Sequence, residues 1–98
     1  MSNALLFVRK HWETEIRAGR KAFEIRAGRR YRNVREADEL SINGHFRVKV
    51  TRVDVHESTE SLARAGLVSE QDIRECYANT VGPFYVFHFT PPADVAPH

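Results

Sequence analysis

Lys21 and Glu24 are the residues of this chain whose types and spacing best suit chemistry. A lysine amine is a base or nucleophile when neutral, and a carboxylate nearby can relay a proton or orient a substrate amide. The same two residues also make a plain ion pair, worth ~0.2–1 kcal/mol at a surface. Spacing alone leaves both readings open. Around them residues 16–35 read IRAGRKAFEIRAGRRYRNVR, with eight Lys or Arg and Glu24 as the one acid. Arg29, Arg30 and Arg32, with Tyr31 among them, combine phosphate-binding groups with an aromatic face for a base. A solvated loop kept in solution by its charge has the same composition.

Several elements must position these residues. Residues 10–18 place Trp12 and Ile16 at i, i+4 on a short amphipathic helix, with Gly19 suited to a left-handed C-cap. Arg20 and Lys21 then fall at the negative end of that helix. Residues 22–26 alternate as a strand, with Phe23 and Ile25 on one face and Glu24 and Arg26 on the other. Residues 27–37 have no apolar period and are expected as a mobile basic loop. Before the helix, residues 4–9 read as a strand buried on both faces.

After the loop, residues 39–43 read as a strand, and Asn43-Gly44 is a strong hairpin signal. The next strand, 45–56, changes apolar parity between Thr51 and Val53, which predicts a bulge. A short helix over 58–65 ends at Gly66. Ser69 and Asp72 resemble a capping box, with Val68 and Ile73 as a hydrophobic staple, for a helix through Cys76 and Tyr77. Residues 84–89 are apolar or aromatic on both faces and belong centrally in a sheet. Residues 91–98 are expected as a flexible tail. The economical architecture is α+β: one domain over 1–90, a small, mostly antiparallel β-barrel of about five strands with short flanking helices.

Composition narrows the function. With 98 residues and 42% hydrophobic content, the chain can bury one core without disulfides. The single cysteine, Cys76, fits a reducing cytoplasm and is expected as a small buried residue on a helix. The apolar run at 4–8 is too short for a signal-peptide core or a membrane span, so a cytoplasmic protein without a membrane partner is expected. His11, His45, His56, His88 and His98 lack metal-ligand spacing, so neither a metal nor another cofactor is expected. No GxGxxG or P-loop is present, which argues against dinucleotide enzymes and NTPases. Residues 1–52 carry 13 Lys or Arg against six acids, and residues 53–98 carry two against seven. Such polarity attracts polyanions unless folding interleaves the two halves.

Gly19-Arg20-Lys21, Phe23-Glu24-Ile25-Arg26, Ala37-Asp38-Glu39-Leu40 and the closing run Phe84-Tyr85-Val86-Phe87-His88-Phe89 together resemble the ASCH domain of the PUA-like superfamily. The resemblance spans residues 5–90 and implies a PUA-like barrel with a cleft for RNA or a modified nucleoside or nucleotide. It is similar in length to the 4-acetylcytidine amidohydrolases, whose set is a lysine, a threonine three residues later and a helical-region glutamate. Lys21 matches the lysine. Glu24 stands at the threonine, Ala37 replaces a glycine, and Glu57, Glu60 and Glu70 are the acids nearest the third position. The resemblance therefore implies RNA or nucleoside binding in a basic cleft around Lys21, Glu24 and Arg26. Arg9, Arg20, Arg29, Arg30, Tyr31, Arg32 and Tyr85 complete the expected contacts. Alternatives are a hydrolase of an acylated nucleoside amide or of RNA, with Lys21 as base or nucleophile and Glu24 as proton carrier, and a protein-binding domain that uses its acidic half.

Overall fold

Among the described residues, five strands and three helices follow one another in the order that the sequence pattern predicts. They are β1 (Asn3–Leu6), α1 (Lys10–Arg17), β2 (Phe23–Ala27), β3 (Glu39–Ile42), β4 (Phe46–His56), α2 (Thr59–Arg64), α3 (Glu70–Cys76) and β5 (Phe84–Phe89). The structure, a computed structural model, describes residues 3–90, and the expected tail at 91–98 lies outside the described residues.

The strands form one sheet in the order β1-β3-β4-β5-β2. β3 and β4 are antiparallel, with Ile42 opposite Phe46 and Glu39 opposite Lys49. β1 runs parallel to β3, with Asn3 opposite Glu39 and Leu6 opposite Ile42. The sheet is therefore mixed, which corrects the expected mostly antiparallel arrangement. A parallel pair needs a crossover of a dozen or more residues, and the segment carrying α1 and β2 supplies it.

Contacts group the chain into two units. One comprises the described residues up to Glu24, Asn33–Val53 and those from Phe87 onward. Its core is Leu6, Ile16, Val34, Leu40, Ile42, Phe46, Val48, Val50, Phe87 and Phe89. The other comprises Ile25–Arg32 and Asp54–Val86, and buries Ile25, Leu62, Phe84 and Val86. The basic residues 26–32 thus share a unit with the acidic stretch 54–86. Among described residues that unit holds six arginines and six acids, whereas the first holds nine Lys or Arg against six acids. Folding interleaves the two charged halves of the sequence.

Local signals are obeyed closely. Gly19, at φ 80°, follows the C-cap of α1. Ser58 caps α2, and Ser69 and Asp72 form the reciprocal capping box of α3. Asn43 and Gly44 take the left-handed conformation, at φ 54° and 74°. The turn holds three residues: the His45 N–H donates to the Ile42 carbonyl at 2.9 Å, so β4 begins at Phe46 and not at His45. Phe46, Val48 and Val50 are buried in alternation, which breaks where Thr51 and Arg52 are exposed in succession. That break falls where the sequence parity slips.

Three expectations are overturned. β1 is shorter than expected and buried on one face only: Leu6 is fully covered, while Leu5 and Phe7 are exposed. It stands at one end of the sheet order, with β3 beside it. Residues 27–37 are not uniformly irregular, since Arg29–Tyr31 form a 3₁₀ turn and Val34 is buried. Cys76 is exposed, because α3 buries no residue. Among the described residues, no helix is long and apolar enough to cross a membrane.

Ala37 carries a strain that a single substitution should relieve. It sits at φ 75°, a left-handed conformation costing an L-residue roughly 1–2 kcal/mol. The conformation is imposed by paired bonds: the Ala37 N–H donates to the Val50 carbonyl, and the Val50 N–H to the Asp38 carbonyl, both at 2.8 Å. The Asp38 carboxylate also accepts the Arg35 N–H at 2.9 Å. Ala37→Gly is expected to stabilise the protein by ~0.5–1 kcal/mol, after ~0.4–1 kcal/mol of added unfolded-state entropy is set against the strain. Urea denaturation with an unchanged m-value measures it.

Candidate functional site

The end of α1 delivers Lys21 to its place. Beyond the helix, the N–H groups of Arg20 and Lys21 both donate to the Glu15 carbonyl, at 3.0 and 3.2 Å, curling the chain back across the last turn. The Phe89 N–H then donates to the Ala22 carbonyl at 3.0 Å. Lys21 Nζ lies 3.3 Å from Glu24 Oε1, with side chains only 18% and 8% accessible. The same Nζ is 4.6 Å from the centre of the Trp12 ring and 4.8 Å from that of Phe23. The two expected residues are therefore brought together, in a setting the sequence did not disclose. An ammonium held by a carboxylate and two ring faces is shielded from water and gains from both.

Glu24 is the deeper partner, with 6% of its surface exposed. Strand alternation assigns Ile25 and Glu24 to opposite faces, yet both are buried, so β2 is covered on both faces at this point. No buried side-chain nitrogen or oxygen among the described residues lacks a hydrogen-bond partner.

The aromatic surroundings continue. The Phe23 and His88 rings are 6.1 Å apart and inclined at 39°. His88 Nε2 lies 3.2 Å from Arg52 Nη2, where the guanidinium donates and the ring nitrogen accepts. The Thr51 hydroxyl donates to the His88 carbonyl at 3.2 Å. Trp12, His88 and Arg52 were not among the expected site residues. A polar His88 inside an aromatic strand, and Arg52 at the parity slip of β4, are the signals that could have found those two.

The other expected residues are dispersed. Arg9 is the exposed N-cap residue of α1, and its carbonyl accepts the Glu13 N–H at 2.9 Å. Arg20 is ion-paired with Glu15. In the second unit, Arg26 Nη1 donates to the Ile25 carbonyl at 2.9 Å. The Arg30 guanidinium lies 5.7 Å from the centre of the Tyr31 ring, Arg29 opens the 3₁₀ turn and Arg32 is exposed. Tyr85 is half-buried on β5. His56 Nδ1 and Ser61 Oγ, 2.6 Å apart, tie the end of β4 to α2. Among the described residues, no group of three or more His, Cys, Asp or Glu could hold a metal ion.

A second polar cluster surrounds Glu13. Glu13 Oε1 accepts from Asn43 Nδ2 and from His45 Nδ1, each at 2.8 Å. The Asn43 amide, then the His45 ring, hold the Glu13 carboxyl below its ordinary range, with the Arg17 charge adding to the effect. A depressed folded value means that Glu13 stabilises the fold fully above the ordinary glutamate range. That contribution is lost as pH falls through the lower folded value. Glu13→Gln should therefore flatten the acid side of the stability profile. Thermal melts between pH 7 and pH 3 test it: the gap between wild type and variant should narrow on acidification.

Fold and site together define a small α+β protein with a five-stranded mixed sheet and a shielded lysine–glutamate pair between aromatic rings. Comparison with family models and with characterised proteins finds no match. Solved structures share the fold. The hypothetical protein PH0355 is 19% identical, with a TM-score of 0.71 over 93% of this chain and 99% of its own. Protein PF0455 from Pyrococcus furiosus, solved by NMR in solution, is also 19% identical, with a TM-score of 0.64 over 95% and 99%.

Proposed function

We propose that this protein is an ASCH-type, PUA-like module that binds RNA or a modified nucleoside or nucleotide through Lys21 and Glu24. The shielded contact between Lys21 and Glu24 carries the reading. A carboxylate held this way can accept from the N–H edge of a base, and the ammonium can donate to a carbonyl or phosphate. The net positive charge of the unit holding the pair favours a polyanion. Filter binding of RNA at several salt concentrations is the test. Affinity should fall linearly on a log–log plot, with a slope near −0.7 per phosphate neutralised. A flat response would remove the electrostatic part.

The 3.3 Å approach of Lys21 Nζ to Glu24 also favours a second reading, a hydrolase in which Glu24 exchanges a proton with Lys21. Incubation with N4-acetylcytidine and with labelled RNA decides it. Turnover that survives Lys21→Ala at the wild-type rate would falsify this assignment.

A further inference from the structure

We propose, on the strength of the nucleic-acid reading above, that the ligand is a single-stranded polynucleotide. It lies along a ladder of rings and cations running from Trp12 through Lys21, Phe23 and His88 to Arg52. The ladder is continuous: Lys21 Nζ stands 4.6 Å from Trp12 and 4.8 Å from Phe23, Phe23 stands 6.1 Å from His88, and His88 contacts Arg52 at 3.2 Å. Every member belongs to one unit, the one with the excess of positive charge.

Rings interspersed with cations match what a single strand offers. Base faces stack on aromatic side chains whatever the base, while the backbone phosphates meet the ammonium and guanidinium groups. A duplex hides its base faces inside its own stack, so it has nothing to place on Trp12. A lone nucleoside has one base and cannot occupy both ends of the ladder. The 6.1 Å spacing of the Phe23 and His88 rings exceeds the ~3.4 Å rise of stacked bases, so bases would settle on protein rings and not on one another.

Two further features suit such a ligand. Trp12 is 41% exposed at the surface of α1, although its turn-mate Ile16 is fully buried. The acid within the ladder, Glu24, is buried against Lys21 and so offers phosphates little repulsion.

Trp12 is the only tryptophan, so its emission reports on one end of the ladder. Titration with U8 and T8 oligonucleotides, with each annealed to its complement, and with UMP is the test. A single strand should quench Trp12 and bind about tenfold or more tighter than UMP or duplex. Binding of either U8 or T8 supports the ladder, and a preference between them reports on the sugar. By filter binding, Trp12→Leu should weaken U8 by about tenfold. Arg52→Gln, at an exposed position, should reduce the salt slope by about 0.7. UMP binding as tightly as U8, or duplex binding as tightly as single strand, overturns the ladder and leaves the nucleoside reading standing. An unchanged salt slope in Arg52→Gln also overturns it. If no nucleic acid or nucleotide binds, both readings fall.

Discussion

Lys21→Met is expected to lower stability by ~2–3 kcal/mol, more than an ordinary surface ion pair accounts for. Breaking a buried pair by removing one partner typically costs ~3–5 kcal/mol, because the remaining charge stays out of water. Lys21 retains some access to solvent, and Glu24 keeps other contacts, so the loss falls at or just below the bottom of that scale. For a domain of this size the loss corresponds to a fall of roughly 10–20 °C in Tm. The ammonium's contacts with Trp12 and Phe23 add to the loss, because methionine fills the space without the charge. Glu24→Leu alone should also destabilise, since it leaves the lysine beside two rings without its carboxylate. The double variant Lys21→Met/Glu24→Leu should recover most of the deficit, because replacing a buried pair by apolar side chains is often neutral or stabilising. A coupling energy near zero across this cycle would show the pair to be solvated. All three variants should lose ligand affinity whatever their stability, which separates the role in binding from the role in folding.

What could be read from the residues, and what could not, divides by range of interaction. Caps and turns depend on a few neighbouring residues, so Gly19, Asn43-Gly44, Ser58 and the Ser69/Asp72 box appear where their patterns place them. The pairing of β1 with β3 joins residues more than thirty apart, across a helix and another strand. No local pattern distinguishes that parallel partner from an antiparallel one. Burial fails as a reading for the same reason. Alternation puts Glu24 opposite the apolar face of β2, but what covers that face comes from elsewhere in the chain. Trp12 illustrates the converse: its i, i+4 relation to Ile16 marks it as core, while its surroundings include Lys21, which the helix C-terminus folds back toward it. The charge polarity of the sequence was visible but misleading, because Arg26 to Arg32 join the unit of the acidic helices.

Asn43→Gly is expected to cost ~2–3 kcal/mol, although glycine tolerates the left-handed backbone of this turn as well as asparagine does. The loss lies in the side chain, which joins three elements. Its Oδ1 accepts the Val8 N–H at 2.8 Å, and its Nδ2 donates to the Val8 carbonyl at 3.0 Å and to Glu13 Oε1 at 2.8 Å. The Asn43 N–H donates to the Leu6 carbonyl at 2.9 Å, and glycine keeps that bond. Three side-chain bonds at a net ~1 kcal/mol each set the scale, because water restores only part of what Val8 loses. Asn43→Ala should cost a further ~1 kcal/mol, since alanine adds left-handed strain to the same loss. The order wild type, Gly, Ala in urea midpoints at constant m-value separates the two contributions. If Asn43→Gly matches wild type, the side-chain bonds contribute nothing net and the residue serves only its φ angle. Combining Asn43→Gly with Glu13→Gln should cost less than the two single losses together, because both remove the same Asn43–Glu13 bond. Asn43 is thus where the hairpin turn, the end of β1 and helix α1 are held in register, and α1 in turn carries Trp12 to its place beside Lys21.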